Sequence, residues 1–211
     1  MDNAVALVQA YLRLNGYLTV SEHPVIARQG NGARMVTDLD MLAIRFPQMR
    51  QGVLDDGTAE ADSRAPDPAL ALVEGLVDML IGEVKEGRAE LNAAATNPAV
   101  LRAALLRFGC CGADEAVAAV DQLQRRGTAV LSAGHRVRLV AFGSTAPGAG
   151  HPRHLTITLA HVVEFLTAYV RREWDVLRHT DSKDPALGML MLLEKARRTA
   201  AAGRGRRATV D

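Results

Sequence analysis

Two short segments of this chain place acids and an amine where they could assist hydrolysis. In Thr37-Asp38-Leu39-Asp40-Met41-Leu42-Ala43-Ile44, an extended conformation puts Asp38 and Asp40 on one face, followed on that face by Leu42 and Ile44. In Gly82-Glu83-Val84-Lys85-Glu86, just after the apolar Met79-Leu80-Ile81, Glu83 and Lys85 share one face and Val84 takes the other. Burying a carboxylate without a partner costs several kcal/mol, so acids at the ends of core strands call for compensation. A divalent cation supplies it. Mg²⁺ is held by one or two carboxylates and keeps water and phosphate oxygens as its other ligands, which suits Asp40 and Glu83, with Asp38 as a further candidate ligand. Lys85 can then hold or help deprotonate an attacking water, or stabilise developing phosphoryl charge. The chemistry this assembles is phosphodiester hydrolysis with Mg²⁺ or Mn²⁺.

The elements that must position these groups follow from local signals. Asp2 or Asn3 can cap a helix whose apolar positions Val5, Leu7, Val8, Tyr11, Leu12 and Leu14 recur at helical spacing until Asn15-Gly16. Residues 17–28 are β-rich, Gln29-Gly30-Asn31-Gly32 reads as a hairpin loop, and residues 35–46 supply a second strand ending at Pro47. Residues 48–67 read as a long surface loop, and a third strand is expected over 79–85. Helices are predicted over 88–95, over 98–108 with Asn97 as cap and Pro98 first, and over 114–126, stopped by Gly127. Strands over 129–131, 137–142 and 155–159 and helices over 160–179 and 185–198 complete the chain. The fold class is therefore α/β (α+β), a mixed central sheet flanked by helices with a C-terminal helical extension.

This ordered set resembles the PD-(D/E)xK nuclease superfamily, in the restriction endonuclease-like variety typified by Holliday junction resolvases. An N-terminal helix, a hairpin whose second strand carries Asp38-Leu39-Asp40-Met41-Leu42-Ala43, and a strand ending Glu83-Val84-Lys85 carry the resemblance, which covers residues 3–143. It implies that Asp40 is the first metal-binding acid, that Glu83 and Lys85 are the family's E-x-K pair, and that the activity is Mg²⁺-dependent cutting of DNA. Asp40 and Glu83 stand 43 positions apart, wider than in compact members, and no proline precedes either aspartate. Resolvase-like members often carry a further Glu on the first helix. Residues 3–15 contain no acid, and Glu22 is the substitute in sequence. The expected organisation is a nuclease-like core over 1–145, a strand plus helical extension over 146–198, and a basic flexible tail over 199–211.

Charge and composition narrow the partners. The chain has 211 residues and a net charge of +1, yet residues 55–90 carry ten acids against three bases, while residues 195–207 carry six bases and no acid. Arg204, Arg206 and Arg207 in that tail, with Arg88 and Asn92 just after the E-x-K strand, are the candidate phosphate contacts. An aromatic content of 4% supplies poor stacking platforms for single strands. The adjacent Cys110 and Cys111 suit structural thiols in a reducing compartment, and the apolar runs are too short to cross a bilayer, so a cytoplasmic location is expected. His151, His154 and His161 match no zinc spacing and read as surface-loop residues. No phosphate-cradling glycine motif or serine elbow occurs. Two rival readings stand beside the nuclease: a non-catalytic nucleic-acid-binding or protein-interaction member of the same fold, and a winged-helix adaptor over 98–139. A homodimer through the helix over 160–179 is a further expectation.

Overall fold

In the computed structural model, Asp2 opens the fold by accepting the Ala4 N–H at 2.9 Å and starting helix α1 (Asn3–Leu14). Residues 2–49, 52–55, 58–61, 65–148 and 153–207 are described, with 52–55, 58–61 and 201–207 described by their backbone. Helix α1 ends at Asn15 and at Gly16, whose φ of +83° belongs to glycine. Strands β1 (Leu18–Gln29) and β2 (Gly32–Arg45) follow as a hairpin at the expected place, though Gln29 and Gly32, read as loop residues, pair as the last rung and leave only Gly30-Asn31 between the strands.

The segment expected as a surface loop contains a small separate hairpin, β3 (Gly52–Asp55) paired with β4 (Thr58–Ala61). Asp55 pairs with Thr58, so the sequence pair Asp56-Gly57, a strong hairpin signal, lies between them, outside the described residues. The segment then returns to the core at Asp67. This buried carboxylate receives the Tyr11 hydroxyl at 2.9 Å, stands 2.6 Å from His161 Nε2 and caps the 3₁₀ turn Pro68–Leu70, while the Asp67 N–H donates to Asn15 Oδ1 at 2.7 Å.

Strand β5 (Val77–Arg88) is longer than its predicted 79–85, and the helix expected over 88–95 is absent. Arg88 instead extends the ladder opposite Thr145, and Asn92 Oδ1 accepts the Ala95 N–H at 2.6 Å, a local bond that competes with helix formation. Helix α2 (Pro98–Phe108) begins as predicted at Asn97-Pro98, and α3 (Ala113–Arg126) stops at Gly127. Cys110 sits buried just beyond α2, its thiol pushed up to about 12 by burial, and both cysteines are free. Strands β6 (Thr128–Val130), β7 (His135–Thr145) and β8 (Leu155–Thr158) lead to helices α4 (Leu159–Arg172), α5 (Trp174–Leu177) and α6 (Pro185–Arg207). The single helix expected over 160–179 is broken at Glu173, which sets Trp174 beneath the Arg198 guanidinium, 5.1 Å from the ring centroid. The backbone of α6 continues through Arg207, so the segment expected as a flexible tail from 199 is helical that far. Among the described residues, no helix is long and apolar enough to cross a membrane.

The protein is a mixed α/β fold. Its main sheet runs β1-β2-β5-β7-β6, with β8 also on β7. The first three strands are antiparallel neighbours, whereas β5 and β7 are parallel and are joined by the crossover through α2 and α3. This disposes of the winged-helix reading of residues 98–139. The β6–β7 hairpin is no peripheral wing, because β7 is a central strand held by β5 on one edge and by β6 and β8 on the other.

Period-two alternation fills both faces. Leu42, Met79, Ile81, Val137 and Leu139 pack with α2 and α3; Met41, Leu80, Val140 and Phe142 pack with α1 and α4. Helix α4 buries Val162 and Leu166 in that second layer, and its Val170 is buried as well.

Candidate active site

The site forms where two strands part. Strands β2 and β5 pair from Arg45–Asp78 to Met41–Gly82, and the next rung would set Asp40 opposite Glu83. The ladder stops there, and Asp40 Oδ2 accepts the Val84 N–H at 2.8 Å. A side chain thus replaces the backbone partner that β5 loses. Gly82 makes the last rung close: a Cβ there would stand 3.1 Å from Met41 Cβ.

Asp40 also marks a change of face. Leu39 packs in the layer under α2 and α3 and Met41 in the layer under α1 and α4, although residues two apart normally share a face. Opposite this point the β1–β2 pairing skips Glu22, a non-glycine residue with φ of +52°. The irregularity leaves Asp38 exposed opposite Pro24, no longer on a regular face with Asp40, contrary to the expectation for an unbroken strand.

Glu83 is 5% exposed and meets two partners. Asn92 Nδ2 donates to its Oε1 at 2.5 Å, and Lys85 Nζ stands 3.9 Å from the same oxygen. Asn92, expected to touch phosphate, has its amide committed to Glu83 and Ala95. It returns over the strand because the chain turns sharply after β5. One extra residue is accommodated in β5 between Lys85 and Arg88, and Ala89 N–H donates to Thr145 O at 2.9 Å. Gly143 permits this crossing, since a Cβ there would stand 2.5 Å from the Ala89 backbone nitrogen. Arg88 is largely exposed and lies 3.3 Å from Glu90, at the outer end of β5. The side chains of Arg204, Arg206 and Arg207 lie outside those described.

The electrostatics are those of two acids held close in a partly dry place. Burial first, and then repulsion from Asp40, push the Glu83 carboxyl up to about 7, against the opposing effects of Lys85 and Asn92. Asp40 is also raised, mainly by burial, with further repulsion from Asp2 and Asp38 and relief from the Val84 bond and Lys85. The contribution of Asp2 was not foreseen from the sequence. No acid lies on α1, but the capping residue before it places a charge that Asp40 feels, while Glu22 is exposed. Among the described residues, no three His, Cys, Asp or Glu side chains gather as a metal cage. His161, read as a surface-loop residue, lies in the first turn of α4 against Asp67, and His154 buries an unpartnered Nε2; His151 is outside the described residues.

This electrostatic arrangement fixes a pH dependence. The folded, metal-free protein holds the Glu83 proton more tightly than the unfolded chain, for which 4.5 is the ordinary value. The stabilisation is therefore full below that value and lost as pH rises through about 7. In thermal denaturation with chelator present, wild-type protein should lose more stability than Glu83→Gln between about pH 5 and about pH 8. Parallel pH profiles for the two proteins would show that Glu83 ionises without penalty.

No known protein family, no characterised protein and no solved structure matches the chain.

Proposed function

We propose that this protein is a metal-dependent nuclease that hydrolyses DNA phosphodiester bonds, with Asp40, Glu83 and Lys85 as its working residues. The observation that supports this reading is the convergence of two carboxylates and an amine at the β2–β5 fork, with Lys85 Nζ 3.9 Å from Glu83. Two hard oxygen donors fit Mg²⁺ or Mn²⁺ better than zinc, because such ions bind through one or two carboxylates and fill the remaining positions with water and phosphate oxygens. When bound, the ion would neutralise phosphate charge and make an attacking water more acidic. Asp40 and Glu83 would hold it, and Asn92 fixes the Glu83 carboxylate through the hydrogen bond its side-chain amide donates. Lys85 presents a cation to the charge that develops on the phosphoryl group.

The test is conversion of supercoiled plasmid to nicked or linear forms by purified protein with Mg²⁺ or Mn²⁺. Cleavage is expected from wild-type protein and not from Asp40→Asn, and calorimetry should show Mn²⁺ binding weakened by at least about tenfold in that variant. Cleavage by Asp40→Asn at the wild-type rate would refute the assignment. Salt-sensitive DNA binding with no cleavage under either metal would leave the non-catalytic reading in its place.

A further inference from the structure

From the same fork that forms the site, the β1–β2 hairpin continues outward without support from the rest of the sheet. Strand β2 pairs with β5 only over 41–45, whereas its pairing with β1 continues to Gln29 and Gly32. Among the described residues, the two strands beyond the rung that joins His23 to Leu39 pair only with each other, and apart from Val25, which packs in the core, no residue of 24–36 is buried. Seven residues of strand from His23 to Gln29 make an arm of about 23 Å.

Its chemistry is one-sided. Residues 23–38 include Arg28, Arg34 and His23 against a single acid, Asp38 at the root of the arm opposite Pro24, and no Phe, Tyr or Trp, in a chain whose net charge is only +1. Neither Arg28 nor Arg34 makes an ion pair among the described residues. Arg28 pairs across the ribbon with Ala33, and Arg34 with Ala27 on the adjacent rung, so the two guanidiniums leave opposite faces. The face of Arg28 also carries Ile26 directly opposite Met35, and these side chains are 64% and 60% exposed.

We propose that this arm is a duplex-DNA-binding ribbon that enters the major groove beside the catalytic fork. The inference deepens the nuclease reading and rests on it for the role of the neighbouring site. A B-form major groove is about 12 Å wide and admits a two-stranded β-ribbon, whereas the deep, narrow major groove of A-form RNA does not. The absence of aromatic side chains removes the stacking platform that single strands need. With Ile26, Met35 and Arg28 toward the groove floor, the apolar pair can meet thymine methyl groups and the guanidinium a guanine edge, while Arg34 on the outer face reaches a flanking phosphate. Because Asp40 lies at the root of the arm, a duplex gripped in this way passes the fork.

The test is fluorescence anisotropy of the full chain with a labelled duplex of about 20 base pairs, in chelator so that no cutting intervenes. Arg28→Ala/Arg34→Ala should bind about tenfold more weakly than wild type, with a plot of log affinity against log salt shallower by about 1 to 2. Duplex DNA should be preferred over single strands and over duplex RNA of the same sequence. Binding with this arm-dependent slope supports the inference even if plasmid cleavage fails, and in that event only the nuclease reading falls. Equal affinity and slope for wild type and the double variant would overturn the arm while leaving cleavage to stand alone. Equal binding of duplex RNA would also overturn it. So would light scattering in which Ile26→Ser/Met35→Ser converts a dimer to a monomer with DNA binding unchanged, since the apolar pair would then belong to a second copy of the chain.

Discussion

Lys85→Ala is expected to slow DNA cleavage by about 10²- to 10³-fold while leaving the unfolding midpoint close to wild type. The two halves of this expectation have separate physical grounds. The Lys85 side chain is 36% exposed and its ion-pair contact with Glu83, at 3.9 Å, is long, so truncation opens no cavity and removes little net stabilisation. What it removes is a positive charge next to two acids whose carboxyls are already raised. Lys85 opposes that rise in both, so its loss moves them further upward, and the pH at which residual activity reaches half its maximum should rise as well. A purely structural lysine would not move that profile. Lys85→Arg retains the charge and should recover part of the rate, with geometry limiting the remainder. Plasmid cleavage measured across pH for the three proteins decides the matter. Wild-type rates in Lys85→Ala would remove the amine from the mechanism.

The arrangement around Lys85 was partly legible in the sequence, and the boundary of that legibility has a physical explanation. Strand parity alone puts Glu83 and Lys85 on one face, and β5 keeps that parity because its register with β7 is unbroken from Val77 to Lys85. The same rule misplaces Asp38, because β2 departs from regularity at Asp40, where its neighbour strand holds Glu22 at a φ of +52°. Nothing in the identity of a glutamate announces that conformation. Local signals did mark the helices that frame the site: Asp2 and Asn15-Gly16 bound α1, and Asn97-Pro98 open α2. They misread residues 88–95. The decisive contact there runs from Asn92 back to Glu83, and the crossing of Ala89 over Gly143 brings it about, so the alanine-rich composition alone suggests a helix that the tertiary structure does not allow. Asp2 shows the same limit from the other side. It is recognisable as a helix cap, but its influence on Asp40 depends on how α1 lies against the sheet.

The largest stability effect should come from a group that sequence patterning does not reveal, Asp78 at the opposite end of β5 from the site. It is 2% exposed and lies on the face that carries Leu80, toward α1 and α4. The Tyr17 hydroxyl donates to its Oδ2 at 2.6 Å, Arg138 Nη2 donates to that oxygen at 2.7 Å, and Arg136 Nε donates to Oδ1 at 2.8 Å. The guanidiniums continue to the Ala71 and Leu70 carbonyls, at 3.1 and 2.8 Å, so the cluster ties the 3₁₀ turn to the central strands. Both arginines are less than a tenth exposed, and one carboxylate answers two positive charges. Asp78→Ala therefore leaves two buried cations without a counter-charge and should lower the unfolding free energy by about 3 to 5 kcal/mol in urea titrations. Tyr17→Phe removes only one donor and should cost about 1 kcal/mol, because Asp78 keeps both guanidiniums. If the loss in Asp78→Ala comes from stranded charge rather than from lost packing, adding Arg138→Met to that variant should recover part of it, since the second change removes one of the two uncompensated cations. A double variant less stable than Asp78→Ala alone would contradict that origin. It would make the Arg138 contact with the Leu70 carbonyl the more important tie between the turn and the sheet.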